Sequence, residues 1–160
     1  MPVETPSGLL LNKCRRIKVT KVLAHMTSGL RPRVVIADDH PQTLRAVMAM
    51  LGEQFQVVAA VEDGDLVLDA VEQFHPELVI LDICMPRLDG LRTAQELRTK
   101  GFAGCIVFLT IQQDEDYLSA ALAVGARAYV IKSKMKADLL RAIEEALSGK
   151  TFVSSSKSGS

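Results

Sequence analysis

The chain has 160 residues, of which 48% are hydrophobic and 4% aromatic, with no Trp. These values fit one folded domain with an aliphatic core and exclude an intrinsically disordered chain. The net charge is zero, but residues 1–33 carry seven Lys/Arg and one acid, whereas residues 34–160 carry 12 Lys/Arg and 18 Asp/Glu. The main body is therefore acidic and lacks the basic face of a nucleic-acid-binding domain.

Five short apolar segments rich in β-branched residues predict strands buried on both faces, as in a parallel sheet. They are Arg33–Ala37, Gln56–Val61, Leu78–Leu81, residues 105–109 and Ala128–Ile131. Segments with apolar residues at helical spacing follow each of them, and Pro41 suits the first turn of the first helix. Five strand–helix units with right-handed crossovers predict an α/β fold with a doubly wound parallel sheet.

The two ends of the chain lie outside this pattern. Residues 1–30 are predicted to be an N-terminal extension, either flexible or added by an upstream start site, because Met26 would give a start closer to the first strand. Residues 31–150 form the predicted domain. Residues 151–160, which include SSSKSGS, are predicted to be a flexible linker or tail.

The cysteines and the hydrophobic runs bear on location. Cys14, Cys84 and Cys105 contain no Cys-x-x-Cys pair, so a disulfide framework or a zinc site is not expected and a reducing cytoplasm fits. The longest hydrophobic runs are shorter than the ~18 residues that a membrane span needs. A cytoplasmic protein without membrane attachment is therefore predicted.

Polar residues stand at the ends of four predicted strands. Asp38 and Asp39 follow the first strand, Asp82 follows the third, Thr110 ends the fourth and Lys132 ends the fifth. Singly, the Asp pair reads equally well as a helix cap, Thr110 as an ordinary strand residue and Lys132 as a surface charge. Because strand ends meet at one edge of a parallel sheet, their shared location favours a functional site.

Clustered carboxylates repel one another, and a hard cation relieves the repulsion. Mg²⁺ takes oxygen ligands from a few carboxylates and a substrate phosphate, so it is the predicted cofactor. A carboxylate can accept a phosphoryl group as an acyl phosphate, which makes Asp82 the predicted nucleophile. Lys132 would balance the added charge, and the Thr110 hydroxyl could hydrogen-bond a phosphoryl oxygen.

With these motifs, the chain resembles the receiver domain of bacterial two-component response regulators over about residues 33–150. Asp82 follows Asp39 by 43 residues, Thr110 follows Asp82 by 28 residues, and Lys132 follows Thr110 by 22 residues. IADDHP and residues 132–153 are most similar to the NarL/FixJ subfamily, whose receivers precede a LuxR-type helix-turn-helix. The matching segments are VVIADDHP (34–41), LVILDICMPRLDG (78–90), FLT (108–110) and AYVIKS (128–133).

The resemblance implies a flavodoxin-like (βα)5 fold with strand order 2-1-3-4-5 and a role for each site residue. Asp82 would be the phosphoacceptor, and Asp38, Asp39 and the backbone carbonyl of Cys84 would hold Mg²⁺ with it. Lys132 would pair with the phosphoryl group. Thr110 and Tyr129 would be the switch residues, Thr110 moving toward the phosphate and Tyr129 rotating inward behind it.

The resemblance also implies partners. A sensor histidine kinase would supply the phosphoryl group, and the chain would be a switch rather than an enzyme. A homodimer could use the surface formed by residues 113–124, the last strand and residues 136–148. Control of transcription through DNA would need an output domain absent from this sequence, so a receiver cut from a longer regulator is expected; the alternative is a stand-alone receiver acting through protein–protein interaction.

Rival interpretations have weaker support. An aspartyl-phosphate phosphatase would carry a second Asp two residues after the nucleophile, where Cys84 stands. A flavin or nucleotide binder would need a glycine-rich loop after the first strand, where DDHP stands. Cys84 is not expected to be a redox sensor, and His40 is expected to cap or flank the first helix. Ile111 is expected to restrict access to the phosphorylated Asp82.

Overall fold

The computed structural model describes residues 31–155, in which strands and helices alternate along the chain. The strands are β1 (Arg33–Ala37), β2 (Gln56–Val61), β3 (Leu78–Leu81), β4 (Cys105–Thr110), β5 (Ala128–Ile131) and β6 (Phe152–Val153). The helices are α1 (Pro41–Leu51), α2 (Gly64–Phe74), α3 (Gly90–Thr99), α4 (Glu115–Ala123) and α5 (Met135–Leu147). Short 3₁₀ turns cover Gly52–Gln54 and Lys132–Lys134. The predicted N-terminal extension lies outside the described residues.

The strands form one parallel sheet in the order β2-β1-β3-β4-β5-β6. The predicted α/β class, parallel pairing and order 2-1-3-4-5 are confirmed. Within residues 31–155 the sheet has six strands rather than the predicted five, because β6 pairs in parallel with the outer edge of β5. Part of the segment predicted as a flexible tail is therefore a strand.

Two aliphatic cores lie on opposite faces of the sheet, because successive side chains of each central strand point to opposite sides. Val34 and Ile36 join the core that contains Leu139 and Ile143 of α5, and this core also includes α1. Val35 joins the second core, under α2, α3 and α4. Fully burying one such side chain contributes about 1.5–3 kcal/mol, so both faces stabilise the central strands.

The first turns of four helices are fixed by Pro41 and by three Asp side chains. Pro41 occupies the first turn of α1, as predicted. Asp63, Asp89 and Asp114 are the N-caps of α2, α3 and α4, and each accepts a hydrogen bond from a backbone N–H of its own first turn. The loops that leave β2, β3 and β4 therefore each end at an Asp cap, which fixes where the next helix begins.

Candidate functional site

The carboxylates predicted to meet do so. Asp38 follows β1 and Asp82 follows β3, with residue exposures of 2% and 3%. The side chain of Asp39 is 35% exposed and lies on the solvent side. Ligand atoms of Asp38, Asp39, His40 and Asp82 all lie within 4.8 Å of one another. The end of the sheet therefore holds two buried carboxylates and one that is open to solvent.

Lys132 lies between the two buried carboxylates. Its Nζ is 3.0 Å from Asp82 Oδ2, with hydrogen-bond geometry, and 2.6 Å from Asp38 Oδ2 as an ion pair. Burial alone would lower the pKa of Lys132, but the contacts with Asp38 and Asp82 outweigh burial and raise it. Burial raises the pKa of Asp82 despite the opposing effect of Lys132. One cation shared by two buried carboxylates thus leaves Asp82 undercompensated.

The oxygen atoms of this cluster suit a hard divalent cation. Asp38 Oδ2 is buried, and its contact with Lys132 does not have hydrogen-bond angles, so among the described residues it lacks a hydrogen-bond partner. The backbone N–H of Cys84 donates to Asp82 Oδ1 at 3.3 Å, which places the Cys84 backbone beside the Asp82 carboxylate. Carboxylate oxygens and a nearby peptide group, open to solvent beside Asp39, are the donor set that Mg²⁺ takes.

His40 takes part in the cluster, which the sequence interpretation underrated. It is the N-cap residue of α1, as expected, but within the described chain its side chain makes no capping hydrogen bond. Its Nδ1 instead lies 3.1 Å from an oxygen of Asp38 and 3.1 Å from an oxygen of Asp39. The signal was present in the sequence, since a His adjacent to two Asp residues at a strand end has carboxylates within reach.

Thr110 and Tyr129 are connected through Gln112, a residue that the sequence interpretation missed. Thr110 is fully buried at the end of β4, and its Oγ1 accepts a hydrogen bond from the Gln112 N–H at 3.2 Å. The Tyr129 hydroxyl donates to the Gln112 carbonyl oxygen at 2.7 Å, and burial raises the Tyr129 pKa to about 12. The Gln112 side chain donates to the Cys84 sulfur at 3.2 Å. No sequence motif marks Gln112.

The Asp82 backbone is enclosed by Gly90, which ends the following loop. A Cβ at position 90 would lie 2.0 Å from the Asp82 carbonyl oxygen, so only glycine fits there. The Gly90 N–H also donates to the Ile83 carbonyl at 2.8 Å. This close approach fixes the start of α3 against the strand that presents the carboxylate.

Residues 34–144 match the response regulator receiver domain family. The chain belongs to this family. The NarL nitrate/nitrite response regulator of Escherichia coli K12 is 31% identical over 123 residues, which are 76% of this chain and 57% of that protein. The transcriptional regulatory protein PdtaR of Mycobacterium tuberculosis is 38% identical over 117 residues, 72% of this chain and 57% of that protein. The chain thus spans less than two thirds of these relatives.

The fold of the receiver domain is shared with solved structures. The isolated receiver domain of RcsB from Salmonella enterica serovar Typhimurium, determined with the phosphomimetic BeF3⁻, superposes with a TM-score of 0.72 at 27% identity. The match covers 78% of this chain and 94% of that one. The predicted membership of the receiver family, on the NarL/FixJ side, is confirmed. Across residues 31–155, none of the receiver's helices has the length and apolar character required to cross a bilayer.

Proposed function

We propose that this receiver is a phosphorylatable signalling switch in which Asp82 accepts the phosphoryl group. The observation that carries the proposal is the pairing of a buried, undercompensated Asp82 with Lys132 and with a solvent-open acidic cluster. Such a carboxylate is held ready for added positive charge and for an electrophilic phosphorus atom.

In the proposed reaction, an oxygen of Asp82 attacks the phosphorus of the donor. The new bond is the acyl phosphate O–P bond, and the broken bond joins phosphorus to the donor's leaving atom, which keeps the electron pair. Mg²⁺ held by Asp38, Asp39, Asp82 and the Cys84 carbonyl would supply charge neutralisation at the phosphoryl oxygens. Lys132 would exchange its contact with Asp82 for one with the phosphoryl group.

The readout would pass through the Thr110–Gln112–Tyr129 chain of hydrogen bonds. A phosphoryl oxygen near Asp82 offers the Thr110 hydroxyl a stronger acceptor than it has now. Movement of Thr110 would disturb the hydrogen bond that its hydroxyl accepts from the Gln112 N–H. It would then also disturb the hydrogen bond from the Tyr129 hydroxyl to the Gln112 carbonyl. Since this network joins β5 to the loop that precedes α4, the surface formed by α4, β5 and α5 would shift between two populations.

The proposed partners follow from this role. A sensor histidine kinase would be the phosphoryl donor, and the α4–β5–α5 surface would pair with a second receiver or a partner protein. The chain would accept a phosphoryl group and would not catalyse the turnover of a substrate. It would work in the cytoplasm. Control of transcription would belong to a longer regulator in which residues 151–160 lead to an output domain; signalling by protein contacts alone is the second candidate.

Amide NMR with a phosphoryl mimic tests the proposal. Beryllofluoride added with Mg²⁺ should shift the resonances of residues 110–131 in the wild type and leave an Asp82→Ala variant unchanged. Beryllofluoride without Mg²⁺ should have no effect on either protein. Unchanged wild-type resonances in the presence of both additives would refute the switch.

A further inference from the structure

The loop between β3 and α3, residues 82–89, carries both Asp82 and the Cys84 peptide, so its position sets part of the metal site. It is anchored from the neighbouring helix α2. The Gly64 N–H donates to the Leu88 carbonyl at 3.2 Å, and a Cβ at position 64 would come within 2.6 Å of that oxygen. The loop therefore lies in tight backbone contact with the start of α2.

A second anchor joins the same two segments through side chains. Arg87 Nη2 contacts Asp63 Oδ2 as a hydrogen-bonded ion pair. The Asp63 side chain is 6% exposed, and its other oxygen accepts the Leu66 N–H at 3.2 Å. Hydrogen bonding to Arg87, the largest contribution, lowers the pKa of Asp63. The carboxylate thus uses one oxygen to cap α2 and the other to hold the loop.

The backbone at Arg87 supports a role for the pair beyond surface charge. Arg87 has φ of 63°, in the left-handed region that favours glycine. Its side chain is 67% exposed, so burial in a core does not enforce this conformation. Glycine would adopt the same backbone more easily but would lose the guanidinium that reaches Asp63.

We propose that the Asp63–Arg87 ion pair positions residues 84–88 so that the Cys84 carbonyl meets a divalent cation at Asp82. Asp63 and Arg87 are positioning residues, since neither touches the metal site. The inference rests on the proposed Mg²⁺ site and goes beyond it, because it assigns part of the cation affinity to a contact on the far side of the loop. An ion pair in which one partner, Arg87, is solvent-exposed acts weakly on stability, so its effect should appear in the loop and in cation binding.

The test uses two variants that remove the pair from opposite sides. Arg87→Gly removes the guanidinium and relieves the backbone at position 87. Asp63→Ser removes the charge and keeps an oxygen that can cap α2. Asp69→Ser is the matched control, because Asp69 is an exposed carboxylate one turn further along α2. Arg87→Lys tests rescue by a conservative cation.

Two quantities are measured on folded protein: amide hydrogen exchange of residues 84–88, and the Mg²⁺ dissociation constant from calorimetry. We expect Arg87→Gly and Asp63→Ser to speed exchange and to weaken Mg²⁺ binding severalfold, below the ~10–100-fold typical of groups that contact a metal ligand directly. The double variant should lose no more than either single one. Arg87→Lys should recover part of the affinity, and Asp69→Ser should match the wild type.

The melting temperature separates positioning from a merely structural role. Glycine relieves the left-handed backbone at position 87, which offsets the lost contact with the buried Asp63 carboxylate, so Arg87→Gly should keep its melting temperature while Mg²⁺ affinity falls. Exchange and affinity equal to wild type in Arg87→Gly, or losses that add in the double variant, would overturn the inference. A wild type that binds no Mg²⁺ would refute the proposed function instead, and the exchange data would still decide whether the pair holds the loop.

Discussion

Buried polar groups at two edges of this sheet differ in how completely hydrogen bonds and opposite charges compensate them. At the carboxyl end, the buried carboxylates of Asp38 and Asp82 share one ammonium group, that of Lys132, and Asp82 has a raised pKa. At the β6 edge, the buried Ser154 has both its N–H and its hydroxyl in hydrogen bonds. Its N–H donates to Tyr129 O at 2.8 Å, and its Oγ donates to Asp138 at 2.7 Å and accepts from the Ile131 N–H at 3.2 Å.

The difference separates groups kept for chemistry from groups kept for stability. Leaving a buried polar group without full compensation costs free energy. Such groups are found at functional sites, where a bound ligand supplies the missing partner. The carboxyl edge therefore suits the proposed cation and phosphoryl group, whereas the Ser154 contacts hold β6 on β5.

The largest effect should follow Lys132→Met. It leaves Asp38 and Asp82 without their shared cation, so the free energy of unfolding should fall by about 2 kcal/mol without divalent ions. Mg²⁺ should restore part of the loss by replacing the missing positive charge. Urea unfolding with Mg²⁺ and with a chelator measures both values. Lys136→Met, at an exposed position of α5, is the control; equal losses in the two variants would contradict the account.

Asp82→Asn should have the opposite sign. Since burial raises the folded-state pKa of Asp82 above the ordinary 3.8, ionised Asp82 favours the unfolded state near neutral pH. The variant should therefore be more stable than wild type by about 1 kcal/mol at pH 7 without Mg²⁺. The gap should close as pH falls from the raised pKa toward 3.8. Thermal unfolding against pH would contradict this if the gap stayed constant or widened on acidification.

Ser154→Ala tests the satisfied edge. It removes the hydroxyl that joins Ile131 to Asp138, so stability should fall by about 1 kcal/mol and amide exchange should rise in β5 and β6. Because the acidic cluster is untouched, the Mg²⁺ dissociation constant should not change. The exposed Ser148 hydroxyl, bonded within its own helix, provides the control variant Ser148→Ala. A weakened Mg²⁺ affinity in Ser154→Ala would show that the edges are not independent.

Ile111→Ala should leave stability within about 0.5 kcal/mol of wild type, since the Ile111 side chain is 66% exposed. Its expected effect is kinetic. A smaller side chain beside Thr110 should admit water to the acyl phosphate and speed its hydrolysis. Following the loss of phosphorylated protein over time measures this directly, and equal decay rates in the two proteins would contradict the predicted shielding.

The two edges also differ in what the sequence predicts. Asp38, Asp82 and Lys132 each stand directly after an apolar strand, and parallel strands end together, so local position was enough to predict that they meet. β6 was not predictable this way, because SSSKSGS reads as a flexible segment and two residues carry too little periodicity for a strand. Its pairing depends on the exposed edge of β5 and on Asp138.

The contacts around the site were harder to predict than its members. Gln112 contacts Tyr129, which is 17 residues away in sequence, and Arg87 contacts Asp63, which is 24 residues away. No periodicity predicts either contact, and only the packing of segments from different strands brings these partners together. His40 could be predicted only in part. Its sequence neighbours Asp38 and Asp39 were predicted members of the site, but the sequence does not show which way its ring points.

The most direct test of the central claim is the intact mass after incubation with acetyl phosphate, for wild type and Asp82→Ala, with Mg²⁺ and with a chelator. The account predicts a gain of one phosphoryl group in the wild type with Mg²⁺ and no gain in the other three samples. A phosphoryl group on Asp82→Ala, an equal gain without Mg²⁺, or an unmodified wild type would contradict it.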